Sequence, residues 1–257
     1  DIVTSILETK FKVHKTEGNF NNELGVPLTI LAAPEDSDIL VLEMGADNFG
    51  QLDFLSKLVK PDYTIITNIG ESHIEFFGSR VGIAKAKFEI TNGMKKDGFF
   101  VYNGDEPLLK ELVENSSINA TSCGENSYND IILENYSITR NEIDFKLNID
   151  ENNFSTTLKG KHNLFNIMFA VAIAKKIDLT NEEIRHAIDN ISKITNMRLE
   201  SILYAEDSLI INDAYNASPT SMKAAVDVIS DLNDFEFKTL VLGSMFELGP
   251  NEVEYHS

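Results

Sequence analysis

Pro61-Asp62-Tyr63-Thr64-Ile65-Ile66-Thr67-Asn68-Ile69-Gly70-Glu71-Ser72-His73 reads as a turn, a buried strand and a polar loop that carries a histidine. Pro61 and Asp62 are turn formers, and the apolar run after them suits a sheet strand. From Val81 to Met94 the spacing is helical, with Lys85 and Lys87 in mid-body. Open α/β sheets hold ligands where a strand ends and the chain turns back. A solvent-exposed loop followed by a surface helix with ordinary lysines also fits these residues, so the neighbouring segments have to decide.

Upstream, Asp38-Ile39-Leu40-Val41-Leu42-Glu43-Met44-Gly45 is a continuous apolar run, as in a parallel strand covered on both faces. Glu43 ends it. An unpaired carboxylate is poor core material, so it calls for a partner, and a cation would supply one. Residues 50–59 follow as a helix with Leu52, Leu55, Leu58 and Val59 on its apolar face. Strand, helix, strand, helix is the rhythm of a parallel sheet. It predicts that Glu43 and His73 leave consecutive strands on the same edge of one sheet. A carboxylate with a phosphate oxygen suits magnesium; a lone imidazole is less typical, and the metal stays open on these residues alone.

Further out, residues 1–10 read as helix and 11–15 as strand. The stretch Thr16 to Pro27 holds three asparagines and two glycines, residues that tolerate tight turns and left-handed backbone. It is either a surface loop or a loop whose amides face a ligand. Pro27 predicts the start of a short helix through Leu31. Downstream, Phe99 to Tyr102 reads as a buried strand, 107–114 as a helix, and Cys123-Gly124 as the close of a short strand. The short alternating runs at 131–133, 136–139, 143–147 and 154–158 predict an antiparallel meander. Gly160 then turns into an apolar helix over 164–176. Asn163 and Asn166, three apart, share a face of its first turn. Asn163 is either a helix cap or a ligand amide; Asn166 lies too far in to cap, and such amides pair well with a purine edge. Thr180 with Glu183 forms a capping box for the next helix. Residues 201–203 and 208–213 read as strands, Ser218-Pro219 as the start of a helix to about Leu232, and Lys238 to Gly243 as another buried strand. The fold class is therefore α/β. A parallel sheet with a small antiparallel appendage spans residues 1–196, and a second, Rossmann-like α/β unit begins over 197–257.

Of 257 residues, 42% are hydrophobic and 25% charged, an ordinary globular composition. The net charge of -19, from 41 acidic and 22 basic residues, argues against nonspecific nucleic-acid binding. It leaves room for a small anion held by backbone N–H groups, one or two lysines and a divalent cation. The single cysteine, Cys123, excludes an internal disulfide and reads as inert core. No apolar run is long enough to span a bilayer; the expectation is a cytoplasmic monomer.

Several segments together resemble the Mur ligases, ATP-dependent amide-forming enzymes of peptidoglycan precursor synthesis, and so of cell wall, shape and division. They are Glu17-Gly18-Asn19-Phe20-Asn21-Asn22-Glu23-Leu24-Gly25-Val26-Pro27, Leu42-Glu43-Met44-Gly45-Ala46, Ala84-Lys85-Ala86-Lys87-Phe88-Glu89-Ile90, Asn196-Met197-Arg198-Leu199-Glu200, Asn212-Asp213-Ala214-Tyr215-Asn216-Ala217-Ser218-Pro219-Thr220-Ser221-Met222 and Leu248-Gly249-Pro250-Asn251-Glu252. The helix motif at 160–166 is shared with folylpolyglutamate synthase and sets only the superfamily. Within the family the match is to the branch that joins D-alanyl-D-alanine to UDP-N-acetylmuramoyl-tripeptide. The resemblance implies a P-loop-type, mononucleotide-binding sheet and an acyl phosphate made with ATP, which the incoming amine attacks. It implies two magnesium sites with Glu43 and His73 as ligands and Lys87 as a carbamate, Lys85 being the neighbour with which Lys87 could be confused. It places Asn163 and Asn166 near adenine and Arg198 at the phosphates. Asp213 is placed at the nucleotide and in catalysis with Lys87, Glu43 and His73. Tyr215, Asn216 and Ser218 fall around the amine or acyl phosphate, and Asn19 and Asn22 beside the muramyl peptide. Other amide ligases of the superfamily and a non-catalytic nucleotide-binding module are the alternatives.

Departures accompany the match. The family's glycine-rich phosphate turn belongs immediately before Asp1, and the segment that holds the UDP moiety before that. Ser244 stands where an aspartate is usual and Asn196 where a glycine is. The expectation from these is a piece of a larger ligase, inactive alone and weak in binding ATP.

Overall fold

The structure is a computed structural model and describes residues 1–139, 142–191, 197–205, 208–232 and 235–256. In chain order its elements begin with α1 (Ile2–Leu7), β1 (Val13–Lys15), α2 (Gly25–Ala32), β2 (Ile39–Val41), α3 (Gln51–Val59) and β3 (Tyr63–Ile66). Then come α4 (Ile74–Phe77), α5 (Arg80–Phe88), β4 (Phe99–Asn103), α6 (Pro107–Glu114), β5 (Ala120–Gly124), β6 (Ile131–Ile138), β7 (Ile143–Leu147) and β8 (Phe154–Thr156). The chain closes with α7 (Lys161–Lys176), α8 (Asn181–Asp189), β9 (Glu200–Ala205), β10 (Ser208–Asn212), α9 (Pro219–Asp231) and α10 (Glu252–Tyr255).

Strands β3 to β8 form a six-stranded sheet in sequence order. Pairing is parallel from β3 to β6 and antiparallel from β6 to β8, so the expected appendage is continuous with the parallel sheet. The central strand β4 shows why its sequence is apolar without alternation. Phe99 and Val101 pack with α1 and α7, while Phe100 and Tyr102 face α5 and α6, and all four are buried. Helix α7 supplies the spine of the larger core, with ten buried residues from Asn163 to Ala174. Helix α8 has the Thr180–Glu183 capping box that its sequence predicts.

Several expectations need correcting. Strand β2 pairs in parallel with β1 in a separate two-stranded sheet, so β2 and β3 are not hydrogen-bonded neighbours on one sheet. Leu40 is 41% exposed, so β2 is not fully buried. An apolar run reports hydrophobicity; it carries no information about which strand lies alongside. Residues 238–243 form no strand, and Val241 is 94% exposed. Among the described residues this run has no ladder partner. Helix α2 starts two residues before Pro27, because Asn22 accepts from the Leu24 and Gly25 N–H groups and opens the helix there. The helix predicted over 81–94 ends at Phe88 and tightens into a 3-10 turn over Glu89–Thr91. The two short strands predicted at 131–139 are one, β6, with an irregularity between Leu133 and Asn135. Asn196 lies outside the described residues. Beside it, Met197 and Leu199 both have left-handed backbone, φ 60 and φ 49, which bends the chain there.

Candidate active site

The site has four parts: the asparagine loop, helix α5, the loop after β3 and a cavity. The first is the asparagine loop. Thr16 Oγ1 accepts from the Glu43 N–H at 2.9 Å, and Asn21 donates from its side-chain amide to Glu43 Oε1 at 2.8 Å. The Gly45 N–H reaches back to the Asn21 carbonyl at 2.8 Å. Asn21 thus holds the carboxylate of Glu43, a role that sequence reading did not assign. The sequence did contain the sign of it, a third amide in a run where only Asn19 and Asn22 were singled out. Asn22 spends its carbonyl oxygen on capping α2, and Asn19 is exposed.

Helix α5 carries Lys87 to where it feels the charge of Glu43. Lys85 is exposed, whereas Lys87 turns inward, as residues two apart on a helix must face different ways. Burial pushes the Lys87 ammonium down, and the charge of Glu43 opposes that shift. The net shift is downward, toward the neutral amine.

His73 follows β3 at the N-terminus of α4. Its backbone is left-handed, φ 61, which is uncommon for a non-glycine residue. Its Nδ1 contacts the carboxylate of Glu247, and the Glu75 N–H donates to the Glu247 carbonyl at 3.2 Å. Glu71, in the same loop, accepts from the Thr220 hydroxyl at 2.6 Å and the Thr220 N–H at 3.2 Å, at the start of α9. Arg80 anchors this loop from below, donating to the Ile69 carbonyl at 2.8 Å and to Glu106 at 2.7 Å. None of these long-range partners was visible from spacing.

The fourth part is a cavity of about 500 Å³ between the ends of β3 and β4, the start of α7 and the body of α9. Asn68, Asn103, His162, Phe165, Asn166 and Asp227 are among its lining residues. Asn163 is not; it is buried, donates to the Lys159 carbonyl at 2.8 Å and accepts from the Asn166 amide at 3.1 Å. The helix cap is Gly160, so Asn163 serves as the support that turns Asn166. With its NH2 group held by Asn163, Asn166 has its carbonyl oxygen for a partner N–H. Burial pushes the His162 imidazolium down, partly countered by the charge of Asp213. Asp213 accepts from the Leu199 N–H at 3.0 Å. The Arg198 guanidinium lies 4.3 Å from the Tyr215 ring centre, a cation–π contact. Asn216 folds onto the Ala217 N–H, and Ser218 caps α9 with Ser221 in a capping box.

For magnesium the fit is partial. Among the described residues no three His, Cys, Asp or Glu side chains converge on one point. Glu43 with a carbamate on Lys87 would make a hard oxygen pair of the kind magnesium takes. His73 would have only Nε2 to offer, because its Nδ1 is in contact with Glu247. No helix among the described residues is long and apolar enough to cross a membrane.

Comparison with known proteins identifies the family. Residues 1–174 match the Mur ligase middle domain. The chain is 46% identical over 261 residues to the UDP-N-acetylmuramoyl-tripeptide--D-alanyl-D-alanine ligase of Bacillus subtilis, covering 100% of this chain and 55% of that protein. It superposes on a crystal structure of MurF from Acinetobacter baumannii with TM-score 0.92 and 32% identity, over 99% of this chain and 56% of that one. A MurF ligase from Thermotoga maritima, solved in complex with ADP, gives TM-score 0.87 at 27% identity, with 99% and 58% covered. The chain spans about half the length of the relatives it matches. By its middle domain and by its fold, the chain belongs to the Mur ligase family.

Proposed function

We propose that this chain forms the nucleotide side of an ATP-dependent ligase that adds D-alanyl-D-alanine to UDP-N-acetylmuramoyl-tripeptide in peptidoglycan precursor synthesis. Two observations carry the reading: Lys87 is desolvated and feels the charge of Glu43, and Asn163 holds the amide of Asn166 at the wall of the cavity. The Bacillus subtilis relative, at 46% identity, supports the choice of substrates.

In this reading ATP is a substrate. Asn166 receives an N–H from adenine, and Asn163 fixes which end of the Asn166 amide faces it. Arg198, steered by the Tyr215 ring, and Asp213 serve the phosphate end. The γ-phosphoryl group passes to the carboxylate of the muramyl tripeptide, and the amine of D-alanyl-D-alanine displaces phosphate from that acyl phosphate to form the amide. Such transfers depend on positioning and on neutralising oxyanion charge. Magnesium, held by Glu43, His73 and a carbamate on Lys87, would supply that neutralisation. A neutral amine is what attacks carbon dioxide, and burial of Lys87 favours it. Asn19 and Asn22 belong to the loop beside the muramyl peptide, Asn22 through the backbone it shapes; Asn216 and Ser218 shape the loop that faces the amine.

The test is phosphate release from ATP by the full-length gene product. Release that requires both UDP-N-acetylmuramoyl-tripeptide and D-alanyl-D-alanine is expected. Release driven equally well by a single amino acid in place of the dipeptide would reassign the substrate, and Asn166→Leu should weaken nucleotide binding about tenfold.

A further inference from the structure

The contact between His73 and Glu247 joins residues 174 apart in sequence. Both are non-glycine residues with left-handed backbone, φ 61 and φ 60. Two such residues meeting at one point is an uncommon coincidence, and each conformation is strained. The side chains are 38% and 42% exposed, so the contact between them is open to solvent and contributes little to stability. The contact is therefore a poor structural investment, and strain of this kind clusters where function needs a fixed geometry.

The surroundings hold Glu247 in place. Met245 and Leu248, on either side of it, are buried. The Met245 N–H donates to His256 Nε2 at 3.0 Å, and the Glu247 carbonyl accepts from Glu75 at 3.2 Å. What Glu247 does to the imidazole follows from its chemistry. A neutral imidazole carries one N–H, and a carboxylate accepts it. With the proton on Nδ1, the lone pair is on Nε2. A carboxylate behind a histidine sets tautomer, ring orientation and basicity in this way at metal centres.

We propose that Glu247 is a positioning residue for His73: it fixes the Nδ1–H tautomer and so presents Nε2 to the metal. The inference rests on the reading of His73 as a magnesium ligand. Because Glu247 lies beyond α9 and His73 follows β3, the ligand is set only while residues 245–249 are docked on the loop at 71–75. Docking of that segment and competence of the metal site become one event.

The experiment uses the full chain and four proteins: unchanged, Glu247→Gln, Glu247→Gly and His73→Ala. Glycine keeps the left-handed backbone without strain and removes only the carboxylate; glutamine keeps an acceptor. Long-range nitrogen–proton NMR of the His73 ring, without metal, reads the tautomer. Manganese binding, followed by electron paramagnetic resonance, reads the site. The expected result is an Nδ1–H tautomer in the unchanged protein and in Glu247→Gln, lost in Glu247→Gly. Manganese affinity should fall about 10- to 100-fold in Glu247→Gly and less in Glu247→Gln. An unchanged tautomer and affinity in Glu247→Gly, with His73→Ala impaired, would overturn the positioning role and leave His73 as a ligand. Undiminished manganese binding by His73→Ala would overturn the ligand reading, and the positioning role with it.

Discussion

Arg80→Ala tests whether the loop that carries His73 is held from below. Arg80 donates to Glu106 at 2.7 Å and to the Ile69 carbonyl at 2.8 Å. Glu106 is only 6% exposed, and its other oxygen caps α6 through the Leu108 N–H at 3.2 Å. Truncating Arg80 leaves that carboxylate buried with one remaining donor. Breaking a fully buried pair from one side costs about 3–5 kcal/mol. Arg80 itself is 44% exposed, so water reaches the gap and relieves part of this. Adding the lost bond to Ile69, at about 1 kcal/mol, a destabilisation of about 2–3 kcal/mol is expected. Glu106→Gln keeps an acceptor for Leu108 and should cost about 1 kcal/mol. The two changes share one interaction, so the double variant should be less destabilised than their sum by about 1 kcal/mol. Urea unfolding at neutral pH, read by circular dichroism, measures all three. The loop should loosen too, seen as faster hydrogen exchange over residues 69–73 in Arg80→Ala. A loss below about 0.5 kcal/mol in Arg80→Ala, or strict additivity, would refute the reasoning.

Three further outcomes follow from the same structure. Burial pushes the Asp105 carboxyl up, but hydrogen bonds from the Glu125 N–H, Asn126 and Asn129 outweigh it and hold the group below the usual carboxylate range. Its stabilisation is therefore complete above the unfolded value of about 3.9 and lost as pH falls through the lower folded value; Asp105→Asn should flatten the acid limb of a urea-midpoint titration, and an unaltered limb would count against this. Carbon-13 bicarbonate should give a carbamate resonance in the unchanged protein and in Lys85→Arg, and none in Lys87→Arg; loss of the signal in Lys85→Arg alone would reverse the assignment. At Gly25 a Cβ would sit 2.4 Å from the Phe20 carbonyl carbon, a backbone atom that has no rotamer to change. Gly25→Ala should destabilise by about 1–3 kcal/mol, measured by calorimetry, and a neutral result would mean that the asparagine loop yields.

The difference between Lys85 and Lys87 shows how far local pattern reaches. Ile83, Ala84 and Ala86 are buried around them, and helical periodicity alone separates the two lysines onto different faces. Which face is buried depends on how α5 packs, and periodicity carries no information on that. Asn163 and Asn166 divide similarly. Their shared face was legible, but the division into a buried support and a cavity-lining amide depends on the turn at Gly160 and on α9.

Local signals decided what local energetics control: the capping box of α8, the start of α9 at Ser218-Pro219, the buried strand β4, the inert Cys123, the helix that carries two lysines, and the motifs that carry the family. Each depends on hydrogen bonds or periodicities within a few residues. Tertiary structure alone decided the separation of β2 from β3, the absence of a strand at 238–243, the hold of Asn21 on Glu43, and the seating of Glu247 on His73. These depend on which surfaces meet across 22 to 174 residues of chain. Residue spacing cannot encode such meetings, because they are set by the packing of whole elements.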